Sequence, residues 1–412
     1  MPLSHAQVEL IKATAPLLEE HGKTIVVRFY STLLSENPSL NSVFNQTNQA
    51  SHQQASALAT ALYAYASNID NLTILTPALD KICSKHVSLY VQPSQYAIVG
   101  KYLLDAMSHV LGPTLSPSHL NAWTEAYDQL AQVMISKEAA LYQSCDSHGW
   151  IDWRQFRVIE KQQESQEITS FHLSPLNGEP LPMYRPGQYV SILVDVPSQP
   201  GFRQARQYSL SSAPNSKRYR ISVRKDKGSL GMRPGYVSNA LHENTKVGDV
   251  VQLSHPEGEL FWDAEEDTKR PVVMISAGVG ITPFISILDT MVEQGVTQRI
   301  VFVHGARTSS SRAFWDHLQA VSSTHPNIRY KSFLTAPTSD ETKGVHFHEK
   351  GRISVKSLDI QQDLLLGSQP IKPLYFICGP QEFMLEIKTE LHSLGIDKDD
   401  IRMELFGTGD AL

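Results

Sequence analysis

"LTPALDKICSKHVSLYVQPSQYAIVG", from Leu75 to Gly100, sets an imidazole where a lipophilic face is expected. Thr76 is an N-cap candidate followed by Pro77 in the favoured first helical position, and Leu79, Ile82, His86 and Leu89 then recur at helical spacing. The spacing predicts an amphipathic helix with His86 on its buried stripe, beside the charged Lys85 and ahead of Tyr96 on the next helix. A histidine in such a stripe is more often a satisfied core residue than a ligand, so its role is decided by what the rest of the chain gathers around it.

Residues 1–147 read as helical almost throughout. Asn37-Pro38, Thr76-Pro77, Gln92-Pro93 and Ser116-Pro117 each put a proline just inside a new amphipathic run, and Ser4 with Gln7 reads as a capping box. Three further runs carry polar tips in apolar surroundings: Tyr30 in "VRFYSTLL", Gln54 with Leu58 one turn apart in "HQQASALATAL", and Glu138 in "LAQVMISKEAALY", while "NSVFNQ" supplies Phe44. Buried polar groups need partners. One arrangement satisfies them all: a planar iron macrocycle with His86 below it, Tyr30 and Gln54 above it, and Phe44 on its edge. Glu138, with Tyr96 nearby, would accept the hydrogen bond that a metal-ligating imidazole donates from its other nitrogen.

After Trp150 the period changes. "FRVIEK", "ITSFHL", "QYVSILVDV", "RYRISVRK" and "DVVQLSHP" are short strands separated by Pro-Gly, Asn-Gly and Gly-Asp turns, the pattern of a barrel. In "RQARQYSLSS", Arg206, Tyr208 and Ser209 put a guanidinium, a flat ring and a hydroxyl along one strand, a set suited to a diphosphate joined to a planar ring. Taken alone, a solvated edge strand would explain it. Beyond residue 266 strands alternate with helices: "PVVMISAG" then "TPFISILDTMVEQG", "RIVFVHGA" then "RAFWDHLQAV", "PLYFICGP" then "EFMLEIKTELHSLG". This alternation predicts a doubly wound parallel sheet. "SAGVGITP" follows a strand and opens a helix, so Gly278 and Gly280 would let backbone approach a pyrophosphate, although Pro283 occupies the third position of the usual glycine fingerprint.

"RPGQYVSI", "RQARQYSLSS" and "GYVSNALHE", in this order and followed by "SAGVGITP" and "CGP", resemble the flavin and nicotinamide modules of the ferredoxin-NADP reductase superfamily. That resemblance implies FAD contacts at Tyr189, Arg206, Gln207, Tyr208 and Ser209. It implies NAD(P)H contacts along Gly278, Val279, Gly280, Ile281, Thr282 and Pro283 and at Cys378, Gly379 and Pro380. The terminal "ELFGTG" would set Glu404, Leu405, Phe406, Gly407 and Thr408 against the flavin, with threonine where the family more often has proline. With the helical module in front, the chain resembles a bacterial or yeast flavohaemoglobin over essentially its full length. The implied fold is multidomain: an all-α globin (1–147), an antiparallel β-barrel FAD domain (148–265) and an α/β doubly wound NAD(P)-binding domain (266–412).

By the same resemblance His86 is the proximal ligand of haem b, Tyr30, Phe44, Gln54 and Leu58 line the distal pocket, Tyr96 and Glu138 form the proximal relay, and Lys85 tunes the haem and flavin potentials. The implied activity is nitric oxide dioxygenase: NAD(P)H reduces FAD, FAD reduces the haem, and nitric oxide with dioxygen becomes nitrate. Peroxide reduction, anaerobic reduction of nitric oxide, or an oxygen-binding or sensing globin with a maintenance reductase would use the same parts. NADH is the family donor, but Arg307, Ser309, Ser310 and Arg312 stand where a carboxylate selective for NAD would be, which implies some NADPH use. His346 and His348 in "VHFHEK" share a strand face without a thiol or acidic ligand and read as surface.

Composition narrows the classes. A net charge of -6 from 36 basic and 42 acidic residues argues against a nucleic-acid or anionic-membrane footprint and leaves small molecules as the partners. Three cysteines without a C-x-x-C pair fit a reducing compartment, and the N-terminal stretch lacks a signal-peptide pattern, so a cytoplasmic monomer is expected. The apolar run Pro271–Leu288 is interrupted by glycines and Thr282-Pro283 and reads as strand, turn and helix rather than a membrane span.

Overall fold

The computed structural model describes residues 2–42, 53–195, 202–228, 234–367 and 370–406, apart from the side chains of Gln53 and Gln54. Phe44, Gly407, Thr408 and the side chain of Gln54 lie outside the described residues.

The first part is helical. Ser4 and Gln7 form the expected capping box on a helix running His5–Glu36. Helices follow at Gln53–Ser67, Thr76–Val87, Pro93–Leu111 and Pro117–Ser147. Gln92 with Gln95 caps the fourth, and Ser116 accepts from the His119 amide at the fifth. Asn37-Pro38 opens a 3-10 turn, Pro38–Ser42, instead of an α-helix. Thr76 is not the cap: it is already helical, the cap position falls on Leu75, and no side chain caps that end. Polar groups inside the helical core are paired, with the Trp123 indole donating to Thr14 Oγ1 at 3.0 Å and the Tyr65 hydroxyl to the Ala126 carbonyl at 2.8 Å.

Six antiparallel strands follow: β1 (Arg154–Gln163), β2 (Ile168–Pro175), β3 (Tyr189–Asp195), β4 (Arg203–Ser209), β5 (Tyr219–Arg224) and β6 (Val250–Leu253). They hydrogen-bond in the order β4-β3-β6-β1-β2-β5. A bridge between Leu210, just after β4, and Ile221 in β5 joins the two outer strands and closes the barrel. β3 is buried on both faces from Tyr189 to Leu193, because the helical module covers its outer side. "YVSNALHE" is a helix, Tyr236–Glu243.

The last sheet is parallel throughout, in the order β10-β9-β8-β7-β11-β12, from β7 (Val272–Ala277), β8 (Ile300–Ala306), β9 (Ile328–Leu334), β10 (Glu349–Lys350), β11 (Leu374–Gly379) and β12 (Ile401–Leu405). The order reverses between β7 and β11, the switch point at which such sheets hold ligands beyond their carboxyl ends. The apolar run from Pro271 divides into β7, a 3-10 turn and the helix Thr282–Glu293, and among the described residues no helix is long and apolar enough to cross a membrane.

One close helix crossing anchors the proximal side of the helical module. A Cβ on Gly100 would lie 2.3 Å from the Tyr127 ring, and the Tyr127 hydroxyl donates to the Tyr96 carbonyl at 2.7 Å. Gly100→Ala gains helix propensity but forces that ring outward. Overpacking of this kind costs about 1–3 kcal/mol against about 1 kcal/mol gained. Thermal unfolding followed by circular dichroism should therefore show a lowered midpoint for the helical module, and an unchanged or raised midpoint would contradict the crossing.

Candidate functional site

The Thr76–Val87 helix presents three faces. Cys83 packs into the helical core, and Val87 is buried. Leu79 and Ile82 pack against the cluster of Cys83, Tyr96, Ala131 and Met134, and His86 and Leu89 continue their stripe, half-buried. Lys81, Ser84, Lys85 and Ser88 turn toward the reductase modules, where the Ser88 and Ser191 hydroxyls meet.

His86 is held by a buried pair from two other helices. Its Nδ1 lies 2.8 Å from Glu138 Oε1 and 3.0 Å from the Tyr96 hydroxyl, and that hydroxyl donates to the same Oε1 at 2.5 Å. Glu138 is 2% exposed. A buried carboxylate that accepts from both groups fixes the proton on Nδ1, which leaves the Nε2 lone pair as the ligating atom. Burial and Glu138 push the Tyr96 hydroxyl far above its ordinary range, so it remains a donor. This donor set fits a metal bound through Nε2, and the His86, Tyr96 and Glu138 assembled here are the three residues singled out in the sequence.

Tyr30 lines an open pocket of about 390 Å³ with Val27, Ser31, Leu34, Ser35, Asn41 and Ala55. Leu58 packs against the same helical core.

On the barrel, Arg206, Gln207 and Tyr208 are half-buried and Ser209 is 5% exposed. Ser209 Oγ is buried without a hydrogen-bond partner. Burial brings Arg206 down to about 10 and, with the positive charges of Lys81 and Arg206, brings Lys85 down to about 8. Two desolvated cations from different modules and an unpaired buried hydroxyl fit an anionic ligand with a polar rim. Tyr189, buried, stands beside Glu257, Glu259 and Glu404.

At the switch point the two nicotinamide motifs pack on each other. Gly278 takes φ 57 with open space around it, whereas a Cβ on Gly280 would lie 2.4 Å from the Cys378 carbonyl. Gly280 is therefore required by the contact with Cys378 and Gly379. Val279, Ile281, Thr282 and Pro283 form the turn into a helix that is buried nearly along its length. Pro380 caps the helix that follows β11. Glu404 and Leu405 pair with Cys378 and Gly379 through β12, and Phe406 is exposed.

Arg312 does not belong to the candidate 2′-phosphate set. It is 5% exposed, donates to Ser332 Oγ and the His346 carbonyl at 2.8 Å each, and stacks on Trp315 at 3.5 Å. Arg307, Ser309 and Ser310 remain at the loop surface or partly so. His346 and His348 do not share a strand face: each accepts a different backbone amide, from Thr342 and Ser332, in a turn before β10. Sequence reasoning passed over Ser88, Tyr90, Ser191 and Glu257, whose partners lie in other modules and carry no local pattern.

The matched families follow the same order: Globin over residues 27–134, the oxidoreductase FAD-binding domain over 155–262, and the oxidoreductase NAD-binding domain over 274–389. Fold and site thus define a globin joined to a flavin- and nicotinamide-dependent reductase. The chain is 42% identical to a flavohemoprotein of Bordetella parapertussis over 403 residues, 97% of each chain, and 40% identical to one of Rhizobium meliloti, 98% of each. It superposes on the flavohemoglobin of Malassezia yamatoensis, solved with bound FAD and heme, at TM-score 0.84 and 26% identity, covering 98% of this chain and 100% of that one. The FAD/NAD binding domain of a nitric oxide dioxygenase from Vibrio cholerae matches at TM-score 0.54 and 35% identity, covering 62% and 99%. The chain belongs to the flavohaemoprotein family.

Glu404 gives the reductase a pH signature. Burial, reinforced by Glu259 and opposed by Lys81, raises its carboxyl from 4.5 to about 8. Between those values the folded chain holds a proton that the unfolded chain has released, so stability falls as pH rises through the window. Glu404→Gln should shrink the difference between urea midpoints measured at about pH 5 and about pH 8.5. An unchanged difference would contradict the burial of this carboxyl.

Proposed function

We propose that this chain is an NAD(P)H-dependent nitric oxide dioxygenase, converting nitric oxide and dioxygen to nitrate, with haem b and FAD as its cofactors. The observation that carries the reading is the His86–Glu138–Tyr96 triad on a globin continuous with flavin and nicotinamide modules. FAD supplies the conversion of a two-electron hydride donor into single electrons, and haem b an iron that takes one electron at a time and binds diatomic gases.

The residues divide the work. His86 would hold the iron through Nε2, with Glu138 and Tyr96 keeping its Nδ1 proton in place and increasing the basicity of the imidazole. Tyr30, with Gln54, would donate a hydrogen bond where negative charge develops on the small ligand, and Leu58 and Phe44 would line the distal pocket. Arg206 and Ser209 would bind the flavin nucleotide, Tyr208 would pack on its ring, and Tyr189 and Gln207 would complete the FAD contacts. The turn Gly278–Pro283 and the loop Cys378–Pro380 receive the nicotinamide donor, with Glu404, Leu405 and Phe406 beside the flavin. Lys85, beside Arg206, would tune the potentials of the haem and the flavin. NADH is the main donor; Arg307, Ser309 and Ser310 tolerate a 2′-phosphate, and Arg312 takes no part. The modules divide near residues 147 and 265, and the chain works as a cytoplasmic monomer.

The direct test is product analysis: purified protein with NADH, dioxygen and nitric oxide should yield nitrate, and its absence would overturn the reading. His86→Ala should lose haem but keep NADH oxidation with an artificial acceptor; a retained histidine-haem spectrum would count against the proximal assignment. Tyr30→Phe removes one hydrogen bond to a charged acceptor, about 1.5–3 kcal/mol, so nitrate formation at limiting oxygen should fall roughly tenfold or more. Haem content and flavin reduction should stay unchanged, and an undiminished rate would exclude Tyr30 as the donor.

A further inference from the structure

The helix that carries His86 ends in an unusual closure. The Val91 amide donates to the His86 carbonyl at 3.1 Å and the Tyr90 amide to the Val87 carbonyl at 3.0 Å, the paired bonds of a Schellman turn. The left-handed position of that turn usually belongs to glycine, yet here it is Tyr90, at φ 55. A bulky residue held in this region needs compensation from its surroundings. Tyr90 finds it across modules. Its ring stacks on Tyr142 at 6.3 Å, meets Trp153 edge-on at 5.3 Å, and its hydroxyl accepts from the His255 amide at 3.4 Å. The Tyr142 hydroxyl in turn donates to the Val91 carbonyl at 2.9 Å.

Two residues earlier a second tie leaves the same turn. Ser88 caps the Lys85 carbonyl at 2.8 Å, and its hydroxyl accepts from Ser191 on β3 at 3.0 Å. Ser191 accepts from the Gln207 side chain on β4 at 3.1 Å, and its backbone is pinned to Ser254 on both sides. Both serines are 0% exposed. The donors all point one way, from Gln207 beside the flavin-strand residues Arg206 and Tyr208 to the carbonyl that precedes His86. Such a chain polarises cooperatively, and in this dry contact either hydroxyl would lose a partner if the other were removed.

We infer that Ser88, Tyr90 and Ser191 are positioning residues that lock the His86 helix end onto the flavin strand, so that hydrogen bonds through this turn, and not the chain connection alone, set the geometry for electron passage between the redox centres. The inference rests on the haem and flavin reading above.

The test uses the full chain loaded with both cofactors, and the variants Ser88→Ala, Ser191→Ala, their combination, and Tyr90→Gly. Anaerobic stopped-flow with NADH follows flavin and haem absorbance separately, and amide hydrogen exchange follows Leu89 and Val91 with and without haem. Flavin reduction should stay at the wild-type rate while haem reduction slows several-fold. Exchange should quicken roughly three- to tenfold, as expected for loss of one buried hydrogen bond. The double serine variant should match either single one. Tyr90→Gly relieves the backbone, so a mere helix stop would leave both readouts unchanged; a lock predicts that both change. Ser88→Thr and Ser191→Thr keep the hydroxyl and should restore cofactor content if an alanine variant loses it, and failure to restore counts against the inference. Wild-type haem reduction and wild-type exchange in fully loaded variants would overturn it. If NADH never reduces haem in the wild-type chain, the functional reading fails instead, and the exchange data still decide whether the lock exists.

Discussion

A carboxylate with 2% exposure must be supplied with donors, and Glu138 obtains two, the imidazole Nδ1–H of His86 and the hydroxyl of Tyr96. Removing either would leave charge in a dry site, where an unmet acceptor costs more than a surface hydrogen bond contributes. Three helices are therefore constrained to one another at a single oxygen. The Tyr127 hydroxyl holds the Tyr96 carbonyl from behind, and Gly100 lets that ring approach. The consequence for chemistry is a histidine whose tautomer and orientation are set by Glu138 and Tyr96.

The same helix carries the second constraint. Its far face meets the barrel through polar contacts rather than an apolar patch: Ser88 on Ser191, and Lys81 with Lys85 near the carboxylates and cation of the reductase. The first helical module adds the Gln204 side chain on the Asn41 carbonyl at 2.9 Å, and the last helix adds Cys145 on Glu257 at 3.5 Å. A polar interface of this kind specifies orientation by directional bonds. It also joins the switch point of the parallel sheet, by way of Glu404 and Tyr189, to the turn that follows His86.

Much of this was legible in the residues. Proline devices located most helix starts, period-two runs located the barrel, and His86, Tyr96 and Glu138 were identifiable because each is a polar group on an otherwise apolar run. What escaped has a common cause. Periodicity reports one lipophilic face per helix, whereas Thr76–Val87 also meets the reductase modules through Lys81, Ser84 and Lys85, which carry no apolar pattern. Gly280 has a steric need that no local pattern shows, since it comes from a strand about a hundred residues away, and Arg312 was grouped with the 2′-phosphate residues because Ser332 and Trp315 are distant or incidental in sequence. Ser191 sits in a run with no reason to be singled out until a helix from another module is laid on it.

The claim most exposed to measurement is that the Glu138 carboxylate holds the Nδ1 proton of His86 and so strengthens the ligand. Resonance Raman spectroscopy of the reduced, ligand-free protein reports the iron–histidine stretch directly. Glu138→Gln keeps the shape of the site and an acceptor oxygen but removes the charge, so the account predicts a clear fall in that frequency with haem content retained. A variant with full haem and an unshifted stretch would contradict it.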